Sequence, residues 1–146
     1  MYDIYRRHRA EYDRLVGAED HERHLPAFLH AIADWRGKTV LEGGLGTGRV
    51  TEMFIEPARR VVGFDREAHM LDAARERLAP FADKLELRVA DNLALPLLPA
   101  KADVFIEGWS WGHAVVDGPG DVEETTEALF AQMRKNLVPG GTVVLI

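Results

Sequence analysis

An acid and three glycines alternate with other residues at one point of the chain. Glu42, Gly44, Gly46 and Gly48 spell E-x-G-x-G-x-G after a short apolar run and before a helical pattern. A strand that ends in glycines and feeds a helix exposes backbone N–H groups, and glycine lets a ligand touch the main chain directly. The spacing predicts a binding site for a small ligand at this turn. A tight strand-to-helix turn without a ligand is the alternative.

A second acid lies where a bound nucleoside would need one. Asp65 ends the next apolar run, about 20 residues after the glycines, where a carboxylate accepts hydrogen bonds from ribose hydroxyls. The dinucleotide fingerprint G-x-G-x-x-G would have its third glycine where this chain has Arg49, which disfavours a nicotinamide cofactor. Because Asp is also a common helix cap, a cap of the following helix is the alternative for Asp65.

Short apolar runs alternate with amphipathic stretches along the chain. This alternation is typical of βαβ units whose strands are buried on both faces, and it predicts a parallel α/β sheet. The predicted strands are Thr39–Gly43, Val61–Phe64, Leu85–Ala90, Ala102–Glu107 and Thr142–Ile146.

Three helices are predicted around these strands. One spans about Glu67–Ala79 and is ended by Pro80, and another spans about Val122–Leu137 and is ended by Pro139, Gly140 and Gly141. Before the first strand, Pro26 opens a helix that carries Phe28, Leu29, Ile32 and Trp35.

Four further segments follow the glycines in a fixed order. They are V-V-G-F-D-R-E-A-H-M-L at Val61–Leu71, V-A-D-N-L-A-L-P-L at Val89–Leu97, A-D-V-F-I-E-G-W-S at Ala102–Ser110 and L-V-P-G-G-T-V-V-L-I at Leu137–Ile146. Together these segments resemble the motifs of class I S-adenosylmethionine (SAM)-dependent methyltransferases, especially small bacterial members with an N-terminal Tyr-Asp helix. The resemblance covers nearly the whole chain. It implies a Rossmann-like, doubly wound sheet of strand order 3-2-1-4-5, with SAM as cofactor and S-adenosylhomocysteine (SAH) as product.

The resemblance also implies which residues bind the cofactor. The implied set is Tyr12, Glu42, Gly43, Gly44, Gly46, Gly48, Asp65, Arg66, Met70, Asp91, Asn92, Leu93, Glu107, Gly108 and Trp109. Within it, Glu42 would bind the ammonium group, and the turn Gly44–Gly48 would pass the methionine part. Gly43 departs from the aliphatic residue that is usual in the family.

The remaining implied contacts follow the second and third strands. Asp65 would hold the ribose, while Arg66 and Met70 would flank the adenine; core packing is the alternative for Met70. Asp91 would accept from the adenine amino group, and the backbone N–H of Asn92 would meet a ring nitrogen. Asx turns are the alternative here, because Asp and Asn form them without a ligand.

An aromatic-rich group, Glu107 to His113, follows the fourth strand and is where methyl-transfer chemistry is expected. Trp109 or Trp111 is expected to contact the sulfonium through its ring face, with plain packing as the alternative. His113, expected in a loop, is the candidate general base, since its pKa range suits proton removal near neutral pH. A structural or exposed histidine is the alternative.

Composition and charge narrow the range of functions that the chain can have. The 146 residues suit one domain, with 47% hydrophobic and 29% charged residues and no cysteine. A net charge of −6 disfavours nucleic-acid binding and favours a small-molecule acceptor. No membrane association is expected, and the N-terminus has no apolar signal core, so a cytoplasmic location is predicted. Metal binding by His21 and His24 is not expected, because no matching ligand set accompanies them.

The two ends of the chain raise further expectations. We expect one domain over residues 1–146, with residues 1–36 as a helical lid that includes Tyr2, Tyr5 and Tyr12, and residues 37–146 as the sheet core; plain packing explains the tyrosine spacing equally well. The chain stops in the predicted fifth strand, whereas the family adds a sixth strand and an antiparallel seventh. A truncated chain, or a homo-oligomer through the exposed edge, is therefore expected. A non-catalytic SAM-binding or assembly module, completed by a partner chain, is the alternative function.

Overall fold

The fold is an α/β sandwich around one parallel sheet. A computed structural model describes residues 20–117 and 120–146, together with positions 11, 14, 15, 17 and 18. The strands are Thr39–Gly43 (β1), Arg60–Asp65 (β2), Leu85–Val89 (β3), Ala102–Glu107 (β4) and Leu137–Leu145 (β5). All neighbouring pairs are parallel, in the order β3-β2-β1-β4-β5. The predicted fold class and strand order are confirmed.

Helices connect the strands. They are His24–Ile32 (α1), Arg49–Phe54 (α2), Ala68–Arg77 (α3), Ser110–Asp117 (α4) and Val122–Asn136 (α5). Short 3₁₀ turns cover Ala79–Phe81 and Asn92–Ala94. Pro80 lies in the first of these turns, so α3 ends at Arg77, two residues before the predicted end. No helix in the described part of the chain is long and apolar enough to cross a bilayer.

Alternating side chains of the strands build two separate cores. On β1, Val40 belongs to the core on one face of the sheet, and Leu41 belongs to the core on the other face. On β4, Ile106 and Phe105 divide in the same way. Because successive side chains of a strand point to opposite faces, helices on both sides are needed to cover the sheet.

The helix before β1 matches its prediction only in part. Pro26 lies in the first turn of α1, as expected, and Leu29 is fully buried. Phe28 and Ile32 are instead 55% and 45% exposed. Trp35 lies beyond the helix, where it stacks on Phe54 of α2 with ring centroids 4.4 Å apart. The predicted helix is present, but it ends at Ile32 and does not include Trp35.

The start of β5 differs from the prediction. Pro139, Gly140 and Gly141 were expected to separate the last helix from a strand beginning at Thr142, but β5 begins at Leu137. Ala102 pairs with Leu137, whereas Val104 pairs with Thr142, so the Pro-Gly-Gly segment forms a bulge within the strand. Gly140 adopts a φ of +74°, which such a bulge accommodates.

Candidate active site

The candidate site begins at residues 43–48, the glycine turn, which joins β1 to α2. Its Gly44, Gly46 and Gly48 have φ of 65°, 60° and 77°. A Cβ on Gly44 would lie 2.1 Å from Oγ of Ser110, so a larger residue is excluded by this chain's own packing. A Cβ on Gly48 would lie 2.8 Å from Leu78, so this glycine brings the turn close to a residue just beyond α3.

Glu42 is the penultimate residue of β1 and is only 1% exposed. Its Oε2 accepts a hydrogen bond of 2.6 Å from the hydroxyl of Thr51, a fully buried residue of α2. Burial raises the pKa of Glu42 from 4.5 to about 8; the Thr51 hydrogen bond lowers it, and repulsion from Glu107 and Asp65 raises it further. An adjacent cation would favour the ionised form.

Asp65 ends β2 beside the glycine turn. Its Oδ2 accepts from the backbone N–H of Gly46 at 2.9 Å, and its Oδ1 accepts from that of Glu67 at 2.8 Å. Burial raises the pKa of Asp65, and these two hydrogen bonds oppose the rise. The carboxylate thus ties the glycine turn to the start of α3. Each carboxylate oxygen can accept two hydrogen bonds, so each oxygen of Asp65 can accept a further hydrogen bond from a ligand.

Asp91 and Asn92 follow β3 and differ in environment. Asp91 is exposed, and its Oδ1 accepts from the backbone N–H of Leu93 at 2.8 Å, which is the Asx turn foreseen as an alternative. Asn92 lies over the glycine turn: a Cβ on Gly43 would be 2.8 Å from its Oδ1. Its Nδ2 donates to Oγ of Ser110 at 2.9 Å. Asn92, rather than Asp91, therefore contacts the other site residues.

Glu107 ends β4 beside Gly43, with which it pairs. Its Oε1 accepts from the Ser110 hydroxyl at 2.7 Å and from the backbone N–H of Trp111 at 2.8 Å. Burial raises the pKa of Glu107; these hydrogen bonds and, more weakly, the charge of His113 lower it. Glu107 thereby secures the first turn of α4 to the sheet.

Trp109 has a strained backbone and a partner for its ring. Its φ is +64°, rare for a residue with a side chain, and its backbone N–H donates to the carbonyl of Ile146 at 3.1 Å. The guanidinium of Arg49 lies 4.9 Å from the ring centroid. One face of the ring is therefore occupied by a cation from the first turn of α2, while 42% of the residue is exposed.

The segment after Trp109 is helical, so the expectation that His113 lies in a loop is wrong. Trp111 packs between Phe105 and Phe130, with ring centroids 5.6 and 5.2 Å apart. This aromatic packing anchors α4 on the sheet. Packing, the alternative for one tryptophan, holds for Trp111, which leaves Trp109 as the candidate for sulfonium contact.

Several predicted site residues lie at the rim or outside the described part. Met70 is buried, with its Cε 3.7 Å from where a Cβ on Gly46 would be, whereas Arg66 and Leu93 are exposed. Gly108 packs near Val50. Tyr12, together with most of the predicted lid, lies outside the described residues.

Two polar side chains of the site had no assigned role from sequence. Thr51 is a polar residue at a buried helical position, and that mismatch in the apolar pattern was its signal. Ser110 had no local signal, because its contacts to Glu107 and Asn92 are tertiary.

Three acid side chains distinguish this site. Glu42, Asp65 and Glu107 lie at the carboxyl ends of the neighbouring strands β1, β2 and β4, and burial raises the pKa of each. Ligands of open α/β sheets bind in this position, where the strand order reverses between β1 and β4. The arrangement suits a ligand that brings positive charge.

The sequence pattern of the methyltransferase domain family matches residues 40–141. The chain belongs to this family. The resemblance to class I SAM-dependent methyltransferases is thereby confirmed, and the match includes the carboxyl ends of all four strands that contribute site residues.

Two relatives of this methyltransferase domain have different names. An uncharacterized methyltransferase of Geobacillus kaustophilus is 32% identical over 148 residues, which cover 97% of this chain and 64% of the relative. The ribosomal RNA small subunit methyltransferase H of Mycolicibacterium gilvum is 35% identical over 77 residues, covering 47% of this chain and 21% of the relative. The chain thus spans less than two thirds of these relatives.

A solved structure gives the same fold. DhpI, in a complex with SAM and HEP, superposes with a TM-score of 0.75 at 26% identity, covering 97% of this methyltransferase domain and 61% of DhpI.

Proposed function

We propose that the cleft binds SAM and that the chain belongs to an enzyme that transfers the methyl group to a small-molecule acceptor. The three carboxyls at the strand ends carry the proposal, two of them buried and that of Asp65 partly buried. SAM brings a positive sulfonium and a positive ammonium, which relieve the repulsion among these groups. The pyrophosphate of a dinucleotide would increase that repulsion, so the cluster argues against a nicotinamide cofactor.

We propose a role for each carboxyl at the strand ends. Glu42 binds the ammonium, and Asp65 accepts from the ribose hydroxyls while it holds Gly46 and Glu67. Glu107 shapes the cleft where β4 meets α4, beside Trp109. The rest of the predicted cofactor set keeps the contacts given by the family resemblance, and the SAM complex of DhpI supports this cofactor.

Binding is tested by calorimetry with SAM, SAH and NAD on the full-length protein. Micromolar or tighter binding of SAM and SAH, and no binding of NAD, is expected. An Asp65→Ala change removes a charged acceptor of two hydroxyls and should weaken SAH binding by about 100-fold. Asp103→Ala is the matched control, because Asp103 accepts from Thr39 at the other end of the sheet. Undetectable binding of both SAM and SAH would refute the proposal.

SAM supplies an electrophilic methyl group, and the protein must align the acceptor with it in a dry pocket. The acceptor's lone pair forms a bond to the methyl carbon while the carbon–sulfur bond breaks. The electron pair of the broken bond stays on sulfur. His113 is near enough to Glu107 for its charge to lower the pKa of that carboxyl. We propose that His113 takes the acceptor's proton. His113→Ala should slow transfer about 100-fold and leave SAH affinity unchanged. Unchanged turnover would remove His113 from the mechanism.

The net charge of −6 supports a small-molecule acceptor, because phosphate backbones are bound mainly by clustered Lys and Arg. The RNA methyltransferase among the relatives makes RNA the competing class. Label transfer from SAM should therefore be compared between a metabolite extract and total RNA. Transfer to RNA alone would overturn the acceptor class, and SAM binding with no transfer to either would support the assembly module.

We also propose self-association through the outer edge of β5. Val143 and Leu145 of this strand are among the exposed large apolar side chains, and exposed edge strands pair readily. Light scattering should show a dimer that a Val143→Lys change dissociates. A monomer at all concentrations would remove this proposal and leave the cofactor site unaffected.

A further inference from the structure

A short chain of hydrogen bonds crosses the glycine turn from the end of β3 to the end of β4. Nδ2 of Asn92 donates to Oγ of Ser110 at 2.9 Å, and this hydroxyl donates to Oε1 of Glu107 at 2.7 Å. A serine hydroxyl has one proton, which is directed to Oε1 of Glu107 or to the more distant carbonyl of Gly43 at 3.3 Å, so in either case its lone pairs accept from the amide. The direction of the chain therefore fixes the orientation of the Asn92 amide.

This orientation leaves one polar atom unsatisfied. Oδ1 of Asn92 is buried and accepts no hydrogen bond from any residue in the described part of the chain. Buried acceptors are paired in most proteins, and an unpaired one opposes folding. A donor on a bound ligand would satisfy it.

The glycine turn is shaped around this chain of hydrogen bonds. A Cβ on Gly43 would lie 2.8 Å from Oδ1 of Asn92, and a Cβ on Gly44 would lie 2.1 Å from Oγ of Ser110. Two consecutive glycines thus allow both side chains to rest on the main chain at the end of β1. The unpaired acceptor consequently lies against the main chain at the end of β1, beside the proposed cofactor cleft.

We infer that Ser110 is a positioning residue of this cleft: its hydroxyl holds the Asn92 amide so that Oδ1 accepts a hydrogen bond from the bound cofactor. The inference rests on the proposed function and extends it to a side chain that carries no cofactor contact of its own. Glu107 acts in this arrangement as the anchor of Ser110.

A double-mutant cycle tests the coupling. SAH affinity is measured by calorimetry for the parent protein, Ser110→Ala, Asn92→Ala and the double variant. Each single change should weaken binding roughly tenfold, because each removes the oriented acceptor. The double variant should bind about as weakly as Asn92→Ala alone, since Ser110 acts only through Asn92. Independent, multiplying losses, or full affinity in Ser110→Ala, would overturn the inference.

Two further variants separate positioning from general stability. Ser110→Thr keeps the hydroxyl and should retain affinity within about threefold. Thr142→Ala deletes a hydroxyl on β5, at the rung that pairs with Val104 and three rungs from Glu107, and should not change SAH affinity. If Ser110→Ala and Thr142→Ala weaken binding equally, the effect is general and the inference fails.

A pH profile supplies a second readout. Ser110 donates to Glu107, and this hydrogen bond lowers the pKa of that carboxyl. In Ser110→Ala the Glu107 carboxyl, followed by NMR in the SAH-free protein, should titrate at higher pH, and an unchanged titration would show that Ser110 does not donate to Glu107. Absence of SAH binding by the parent protein would instead defeat the proposed function.

Discussion

The two ends of the same sheet bury polar groups in opposite ways. At the amino end, the backbone N–H of Thr39 donates to Asp103 at 2.8 Å, and Arg59 donates to the Thr39 hydroxyl at 2.7 Å. At the carboxyl end, Glu42 and Glu107 are buried and Asp65 is partly buried, and burial raises the pKa of each. At the amino end these polar groups are paired by hydrogen bonds within the chain. The carboxyl end holds acid groups whose charge a ligand can complement.

The groove in the protein surface does not lie at the end of the sheet that holds the acids. An open groove of about 830 Å³ lies towards the amino end, lined by residues 30–36 together with Glu56 and Pro57. The three acids are absent from its lining. We assign function to the carboxyl end because a group of acids whose pKa values are raised by burial is typical of functional sites, whereas an open surface groove is not.

Two glycines with nearly the same φ should respond differently to replacement by alanine. Gly44 has φ +65° and would place a Cβ 2.1 Å from Ser110, whereas Gly37 has φ +67° and open space around it. Gly44→Ala should destabilise the fold by about 3 kcal/mol or more and abolish SAH binding, because backbone strain and a clash combine. Gly37→Ala should cost about 1–2 kcal/mol from strain alone and leave binding intact. Urea unfolding and calorimetry measure both, and equal losses would contradict the distinction.

Glu42→Gln should change how the stability of the fold depends on pH. Burial raises the pKa of Glu42 to about 8 from 4.5, so between these values the folded state holds a proton that the unfolded state has lost. Stability therefore falls as pH rises through this window, by at most about 1.4 kcal/mol per pH unit.

The glutamine variant lacks this titration, so its free energy of unfolding relative to the parent should improve between pH 5 and pH 8. Its SAM affinity should fall about tenfold or more at the same time, since the ammonium loses its counter-charge. Urea unfolding at both pH values measures the first effect. Parallel stability profiles for parent and variant would count against a buried, proton-holding Glu42.

Cofactor binding should release protons. In the proposed complex the ammonium of SAM stabilises the ionised form of Glu42, whose pKa of about 8 keeps it mostly protonated at neutral pH in the empty cleft. Calorimetry at pH 7 in two buffers of different ionisation enthalpy should show release of up to about one proton. The release should disappear in Glu42→Gln; equal release by the variant would assign it to another group.

The smallest effect is expected at Thr51. Thr51→Val removes the hydroxyl that donates to Glu42 at 2.6 Å, and this should raise the pKa of Glu42 further. The pH midpoint of SAM binding should rise by about one unit or less, and Thr51→Ser should restore it. If the serine and valine variants share one pH profile, the hydroxyl has no part in orienting Glu42.

The sequence predicted the fold and the acids because both depend on local pattern. Apolar runs gave β1 to β4, and the positions of Glu42, Asp65 and Asp91 at strand ends followed from them. In a parallel sheet these ends meet at one edge, so the pattern also indicated the cleft.

What the sequence did not predict depends on contacts between distant segments. Helix α4 contains Gly112 and was expected as a loop, yet Trp111 anchors it between Phe105 and Phe130. The hydrogen bond from Thr51 to Glu42 joins α2 to β1, and that from Asn92 to Ser110 spans 18 residues. The bulge at Pro139–Gly141 reflects the register with β4, which a local turn signal does not contain.

Trp109 lies where three parts of the chain meet. Its backbone is fixed by the carbonyl of Ile146, and its ring rests against Arg49. Ile146 in turn donates its N–H to the carbonyl of Glu107, so the residue after β5 contacts both sides of the turn. Changes after β5 can therefore alter the orientation of this indole while the acids at β1 and β2 stay in place. The preference for an acceptor could then change in evolution without a change in the proposed nucleoside contacts.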